Sequence, residues 1–190
     1  MKRVMIFVAV LAACLFAFTA SADAAGLAVR GVGGHMTIAA PDDIDATIGL
    51  GFLLDMDIVG SQFGVESYAS YWSQSESAFG VEASVSDFAM GGRGKYKFLT
   101  SSTSVHPYVG AGLGLHFVTA GVEIPAYDFG GIIIPGTSVE DTNVNLGLDL
   151  GGGMAFDVGE RISLLTDAWG VIVSDVSQFM LRFGMIYRIP

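Results

Sequence analysis

The sequence predicts an all-β fold, an eight-stranded antiparallel up-and-down transmembrane β-barrel, and three observations predict it. Hydrophobic residues make up 52% of the 190 residues and the mean hydropathy is +0.57, yet beyond residue 20 no apolar run approaches the roughly 20 residues of a spanning helix. Apolar residues recur with a period of two along most of the chain, as in strands whose faces meet different surroundings. Glycine supplies 26 residues, about twice the ordinary share, and it gathers with the charges opposite the large apolar side chains. Glycine weakens helices and suits strands that crowd a narrow interior.

The first 24 residues are set apart from the fold. Lys2 and Arg3 form a positive n-region, Val4 to Ala20 an apolar h-region, and Ala22-Asp23-Ala24 an A-x-A site. This is the pattern of an export signal, with cleavage expected before Ala25. Leu11-Ala12-Ala13-Cys14 also resembles a lipobox, which would make Cys14 a lipidation site; the short h-region before it and the apolar sequence after it favour ordinary cleavage. The mature chain, residues 25–190, then carries 7 basic and 18 acidic residues and no cysteine. Disulfide chemistry is thereby excluded within it, and a net charge this negative argues against nucleic-acid binding, which needs a basic face.

Residues 26–38 set Val32, Met36 and Ile38 against Gly31, Gly33, His35 and Thr37, with an unclear phase before Arg30. Residues 44–57 set Ile44, Ile48, Leu50, Phe52, Leu54 and Met56 against Asp45, Gly49, Gly51, Asp55 and Asp57. Residues 62–72 place Phe63, Val65, Ala69 and Tyr71 opposite Glu66, Tyr68, Ser70 and Trp72. At 87–98, Phe88, Met90, Tyr96 and Phe98 oppose Asp87, Arg93, Lys95 and Lys97; the apolar parity of Phe79 to Val85 is switched relative to this, and a bulge is expected near Ser86. The clearest alternation is 106–117, where Pro107, Val109, Ala111, Leu113, Leu115 and Phe117 oppose His106, Tyr108, Gly110, Gly112, Gly114 and His116. Residues 143–158 repeat it, with Asp149, Asp157 and three glycines opposite Leu146, Leu148, Leu150 and Phe156. Residues 161–173 begin regularly around Arg161, Ser163 and Asp167 and lose phase from Leu165 to Val171, where a second bulge is expected. Residues 179–189 end the set, with Phe179, Leu181, Phe183, Met185 and Tyr187 opposite Arg182, Gly184, Ile186 and Arg188.

The faces are then assigned by size and charge. An eight-stranded barrel has an interior that side chains nearly fill. Glycines therefore belong inside and bulky apolar residues outside, against acyl chains. The inner parity collects Asp55, Asp57, Glu66, Asp87, Asp149, Asp157 and Asp167 with Arg93, Lys95, Lys97, Arg161, Arg182 and Arg188. A lumen charge network is expected, because opposite charges can pair there, whereas Arg or Lys facing lipid near the midplane costs about 2–4 kcal/mol. Aromatic girdles are expected at the two interfaces, with Phe63, Tyr96, Phe98, Phe156 and Tyr187 at one and Tyr71, Phe117 and Phe179 at the other. Connections alternate. Short links fall near Val59–Ser61, Leu99–Ser104 and Gly159–Glu160, and the others near Ala39–Asp43, Ser73–Ala78, Thr119–Asp141 and Ser174–Ser177.

With these residues in place, the chain resembles the eight-stranded outer-membrane β-barrel family of OmpA/OmpX type. PYVGAGLG at 107–114 resembles its fifth strand and GLDLGGGMAF at 147–156 its sixth. The end of the chain resembles the family's C-terminal assembly signal, with Gly184, Tyr187 and Ile189 at the glycine, aromatic and hydrophobic positions; that signal usually ends in Phe, and here Pro190 follows Ile189. The resemblance implies a bacterial outer-membrane location, short periplasmic turns, longer external loops, contact with outer-membrane lipid and recognition by the barrel-assembly machinery during insertion.

No enzyme, cofactor or metal site is expected. His35, His106 and His116 are dispersed and give no ligand spacing. His35 and His116 are the only inward histidines near the outer side, and neither stands in the His-x-Ser motif of lipid A deacylases. The Gly-rich runs lack phosphate-loop spacing. The segment 119–141 is the most distinctive external loop. It carries Val122, Ile124, Tyr127, Phe129, Ile132 and Ile134, which either form a surface or ligand contact or extend the flanking strands beyond the membrane. The expected function is an integral barrel with a side-chain-filled lumen that acts structurally or through its external loops. Passage or binding of a small hydrophobic molecule through a lateral opening, and lipid modification, are the alternatives.

Overall fold

The computed structural model describes residues 27–58, 61–78, 80–130, 132–174 and 176–189. The expected export signal and Cys14 lie outside them. Among the described residues ten strands form: β1 (Leu27–Pro41), β2 (Thr47–Ile58), β3 (Phe63–Ala78), β4 (Val81–Lys97), β5 (Val105–Ile124), β6 (Tyr127–Phe129), β7 (Ile132–Ile134), β8 (Thr137–Asp157), β9 (Ile162–Ile172) and β10 (Gln178–Arg188). Eight close into one antiparallel barrel in the order β1-β10-β9-β8-β5-β4-β3-β2, while β6 and β7 make a separate two-stranded hairpin. Closure pairs β1 with β10 from Gly31↔Arg188 to Pro41↔Gln178. Backbone donors and acceptors are thereby satisfied without an edge, as a bilayer requires.

The barrel is inside-out relative to a water-soluble protein. Leu113 is 55% exposed, Leu148 42% and Phe183 47%, while Arg93 is 1% and Asp149 0% exposed. Alternation assigns these two environments strand by strand.

Strand lengths differ around the ring. β9 and β10 have 11 residues and β2 has 12, close to the roughly 9–11 that a tilted strand needs to span hydrocarbon. β5 has 20 and β8 has 21, with β3 and β4 at 16 and 17. These four continue past the others as a free-standing sheet. The segments expected as external loops at 73–78 and 119–141 are therefore mostly strand. In 73–78 and 137–142 polar residues occupy both faces, and in 119–124 the alternation continues with its apolar parity reversed relative to the barrel below. Ile124 pairs with Thr137, so Val122–Ile124 extends β5, whereas Ile132–Ile134 forms its own hairpin with Tyr127–Phe129.

The two bulges expected near Ser86 and around Leu165–Val171 are absent. β4 keeps one register with both neighbours throughout, and β9 keeps its parity from Ser163 to Val173. The phase loss in β9 has a different cause: Leu165, Trp169, Val171 and Val173 point into the lumen and form a buried cluster there with Leu53, Tyr108, Met180 and Ile186. Charge and glycine alone do not fill this interior. The irregularity sits in β1, where Arg30 is the extra residue between Val29↔Met56 and Gly31↔Asp55.

The exterior sorts by rows. Tyr71, Phe88, Phe117 and Val144 stand side by side across β3, β4, β5 and β8. With Phe179 they form the upper girdle. At the opposite end Tyr96 packs edge-on against Phe63 and Phe98, each at 5.3 Å between ring centroids. The next row beyond Tyr71–Val144 is Ser73, Ser86, Thr119 and Thr142; then Ser75, Ser84, Gly121 and Glu140; then Ser77, Glu82, Glu123 and Ser138. No large apolar side chain occurs in those three outer rows. On this side of the barrel the outward apolar band ends between two adjacent rows.

Candidate functional site

Two features carry what this molecule can do: a closed lumen and the sheet that rises from its rim. The lumen is built from rows in which glycine separates a long side chain from its partner. Glu66, Arg93, Gly112 and Asp149 are neighbours across β3, β4, β5 and β8. Because Gly112 has no side chain, Arg93 lies across it and its Nε donates to Asp149 Oδ2 at 2.7 Å; a Cβ on Gly112 would meet Arg93 Cγ at 2.6 Å. In the next row Tyr68 lies over Gly91 and Gly114 and its hydroxyl donates to Asp149 Oδ2 at 2.7 Å. Below, the Trp169 indole covers Gly110 and Gly151, within 3.0 and 2.8 Å of where their Cβ atoms would sit. The glycines are the sockets of this packing.

Glu66 is the hub. It accepts from Lys95 Nζ at 2.6 Å, from Arg182 Nη1 at 2.9 Å and from Arg93 Nη1 at 3.4 Å, and it is fully buried. Asp167 receives Arg182 through Nε at 2.7 Å and Nη2 at 2.6 Å, and Tyr108 Oη donates to it at 2.5 Å. Three carboxylates and three cations thus balance at the centre of the cluster, and at its edge Lys95 Nζ also lies 3.6 Å from Asp55. Aromatic faces complete the cations' surroundings, with Arg93 3.9 Å from the Tyr68 ring centroid and 4.1 Å from that of Trp169, and Lys95 4.6 Å from that of Tyr108. Charge-assisted hydrogen bonds and cation–π contacts of this kind offset the desolvation that burying six charges costs.

The remaining charges divide between the ends. Toward the chain termini Lys97 pairs with Asp57 and lies 3.8 Å from Asp55, and Arg188 pairs with Asp157. Asp157 also meets His106 Nε2 at 2.9 Å and accepts from Ser163 Oγ at 3.0 Å. Arg30, outside the expected network, joins it through Asp57 at 3.3 Å. Arg161 does not enter the lumen network. It precedes the first ladder pair of β9, follows the Gly159 turn, and its exposed side chain swings round the rim to donate to Tyr187 Oη at 3.3 Å. Asp87 lies in the lumen but pairs with no Lys or Arg; it meets His116 Nδ1 at 2.8 Å and accepts from Gln178 Nε2 at 3.0 Å. His35 bonds Thr37 at 3.0 Å.

Sequence reasoning overlooked Tyr68, Tyr108, Trp169 and Gln178 as lumen partners. The signal was present, since each shares parity with the inward charges, but only ionised side chains were assigned to the network. Of the C-terminal motif, Gly184 faces inward against His35, with 3.0 Å between the His35 Cβ and the position a Gly184 Cβ would take, while Tyr187 and Ile189 are exposed on the outside.

The rising sheet inverts the polarity of the barrel. Its outer face carries the serine, threonine and glutamate rows. Its inner face, which overhangs the mouth, carries Gln74, Val85, Ala120 and Asp141 in one row and Glu76, Ala83, Val122 and Val139 in the next. Val81 and Ile124 lie above.

Residues 10–188 match the family model described as outer membrane protein beta-barrel domain. No curated protein sequence matches the chain. Among solved structures, Neisserial surface protein A matches with a TM-score of 0.66 at 16% identity, covering 86% of this chain and 99% of that one. Ail, the attachment invasion locus protein of Yersinia pestis, matches with 0.56 at 14% identity over 86% and 99%. A major outer membrane protein of Thermus thermophilus matches with 0.57 at 14% identity over 82% and 99%.

Proposed function

Because the chain belongs to the outer membrane protein beta-barrel family, and so to the bacterial outer membrane, we propose that it is a plugged, non-conducting barrel whose role is structural support and surface contact through its external sheet. The observation that carries this reading is the cluster around Glu66. It crosses the lumen from β3 and β4 to β9 and β10 and leaves its six ionic groups no more than 5% exposed. In family members the termini face the periplasm and the longer connections face outward, which puts the rising sheet on the cell surface. The apolar band is then surrounded by outer-membrane lipid, and the C-terminal strand with Gly184, Tyr187 and Ile189 is the segment offered to the assembly machinery.

Several features support contact over catalysis. His116 is held by Asp87 and His35 by Thr37, bonds that position lumen side chains. Every neighbouring pair of barrel strands is hydrogen-bonded, with one bulge in β1 at Arg30, which leaves a small apolar solute no unpaired seam to pass. Ail has been crystallised with the heparin analogue sucrose octasulfate; here the outer end carries no Lys or Arg among the described residues, and a polyanion would meet only carboxylates.

Planar-bilayer recording of the refolded protein tests the plug. No steady conductance is expected, and a steady, large, ohmic current would overturn the reading.

A further inference from the structure

The middle of the external sheet's inner face, on β4 and β5 with Val139 of β8, is apolar and stands open among the described residues. Val122 is 45% exposed, Ile124 47% and Val139 63%. From Val118 to Ile124 it rises about 20 Å along β5. A monomeric protein in water has no reason to turn its serines outward and its valines toward an open mouth, because exposed contiguous apolar surface marks a contact site.

The charges around this face are all of one sign. Glu76 flanks it on β3 and Asp141 on β8, both exposed. In the ring order the β1–β2 turn lies diametrically across from the β5–β8 ribbon, and it presents Asp42, Asp43 and Asp45, also exposed. At the floor, in the row below Val85, Asp87 is 2% exposed and its Oδ1 has no hydrogen-bond partner among the described residues. Every Lys and Arg from residue 27 onward sits lower in the barrel or at the periplasmic rim. Among the described residues no Lys or Arg reaches the mouth to neutralise the exposed carboxylates, while Asp87 is held through Oδ2 by His116 and Gln178.

We propose that the mouth binds a cationic amphiphile, a molecule with an apolar body and one or more ammonium groups. The body lies on the Val85–Val122–Val139 face and the cation meets Glu76, Asp141 and the acidic turn opposite. An anionic lipid or polyanion is disfavoured by every charge in reach, and a neutral apolar molecule leaves the carboxylates unused. The assignment rests on the reading of this sheet as an external contact surface.

The test uses the full mature barrel refolded into phosphatidylcholine nanodiscs, with empty discs as background. The probes are protonated aminoacridine and its anionic counterpart, anthracene carboxylate, followed by fluorescence. Aminoacridine is expected to bind saturably and at least about tenfold more tightly than the anion. Val122→Thr with Val139→Thr keeps the branched shape and should weaken binding by about tenfold through lost apolar contact. Glu76→Gln with Asp141→Asn should weaken it by about fivefold and flatten its salt dependence. Thr119→Ala, on the outer face, should leave it unchanged. Heat-modifiable gel mobility reports that each variant is folded.

Equal affinity for the two probes, or binding that ignores the inner-face variants, overturns the proposal. So does a dimer in sedimentation that Val122→Thr dissolves, since a second copy would then be the occupant. A steady conductance removes the plugged-barrel reading whatever the probes do; a silent barrel that binds neither probe removes the ligand alone.

Discussion

The barrel wall and the sheet that rises from it are made of the same strands in the same register, yet their faces carry opposite chemistry. Below the row of Tyr71, Phe88, Phe117 and Val144, β3, β4, β5 and β8 point apolar side chains outward and glycine, Tyr68, Glu66, Arg93 and Asp149 inward. Above it they point serine, threonine and glutamate outward, and inward they point valine and alanine flanked by Gln74, Glu76 and Asp141. Backbone pairing does not change at that row; the external medium does. Side-chain polarity along a strand therefore reports what surrounds the strand, and a switch of apolar parity can mark the edge of a membrane as well as a bulge.

The largest effect should come from the wall's interior. Glu66→Ala leaves Arg182, Lys95 and Arg93 facing one another without their shared carboxylate. Breaking a buried ionic group by removing one partner costs about 3–5 kcal/mol, to be read as a lowered urea midpoint for unfolding from phospholipid vesicles. A cost below about 1 kcal/mol, the range of a surface pair, would show that water reaches the cluster and that the lumen is open.

Next comes a pair that locates the boundary. Leu150 is outward and midway between Val144 and Phe156 on β8. Leu150→Arg should lose about 2–4 kcal/mol at that depth. Ser75→Arg occupies the same outward face beyond the girdle and should stay within about 0.5 kcal/mol of the parent. If both substitutions cost alike in the same unfolding assay, the boundary has been drawn at the wrong row.

A smaller effect probes the sockets. A Cβ at Gly153 would collide with the Asp167 side chain and the Thr166 carbonyl oxygen. Gly153→Val should destabilise by about 1–3 kcal/mol, the usual cost of overpacking. Heat-modifiable mobility at stepped temperatures would record it. A Gly121→Ala change in the rising sheet should cost less, since the nearest atom to its Cβ is the Ser84 hydroxyl at 2.9 Å, on a small, half-buried side chain that can rotate away.

Much of this was legible in the one-dimensional pattern. Alternation in 106–117 and 143–158 sufficed for strands with one apolar and one glycine-rich face. The inward parity of Glu66, Arg93, Lys95, Asp149, Asp167 and Arg182 placed the ions in the lumen. Arg161 was misplaced because parity says which side a residue starts from and not where a long side chain ends once its strand has run out. The bulges expected at Ser86 and Leu165–Val171 came from assuming that a face keeps one chemistry along its whole length.

The sequence by itself determined the architecture: period two, glycine sharing a face with charge, and no spanning helix leave a closed membrane barrel as the economical solution, because hydrocarbon tolerates no unpaired backbone. Only the tertiary structure decided which ions meet, which strands outgrow the ring, and where the faces exchange roles. Those depend on register between strands distant in sequence. Glu66 and Arg182 are 116 positions apart, and the need for glycine at position 112 shows only once Arg93 and Asp149 are seen on either side of it.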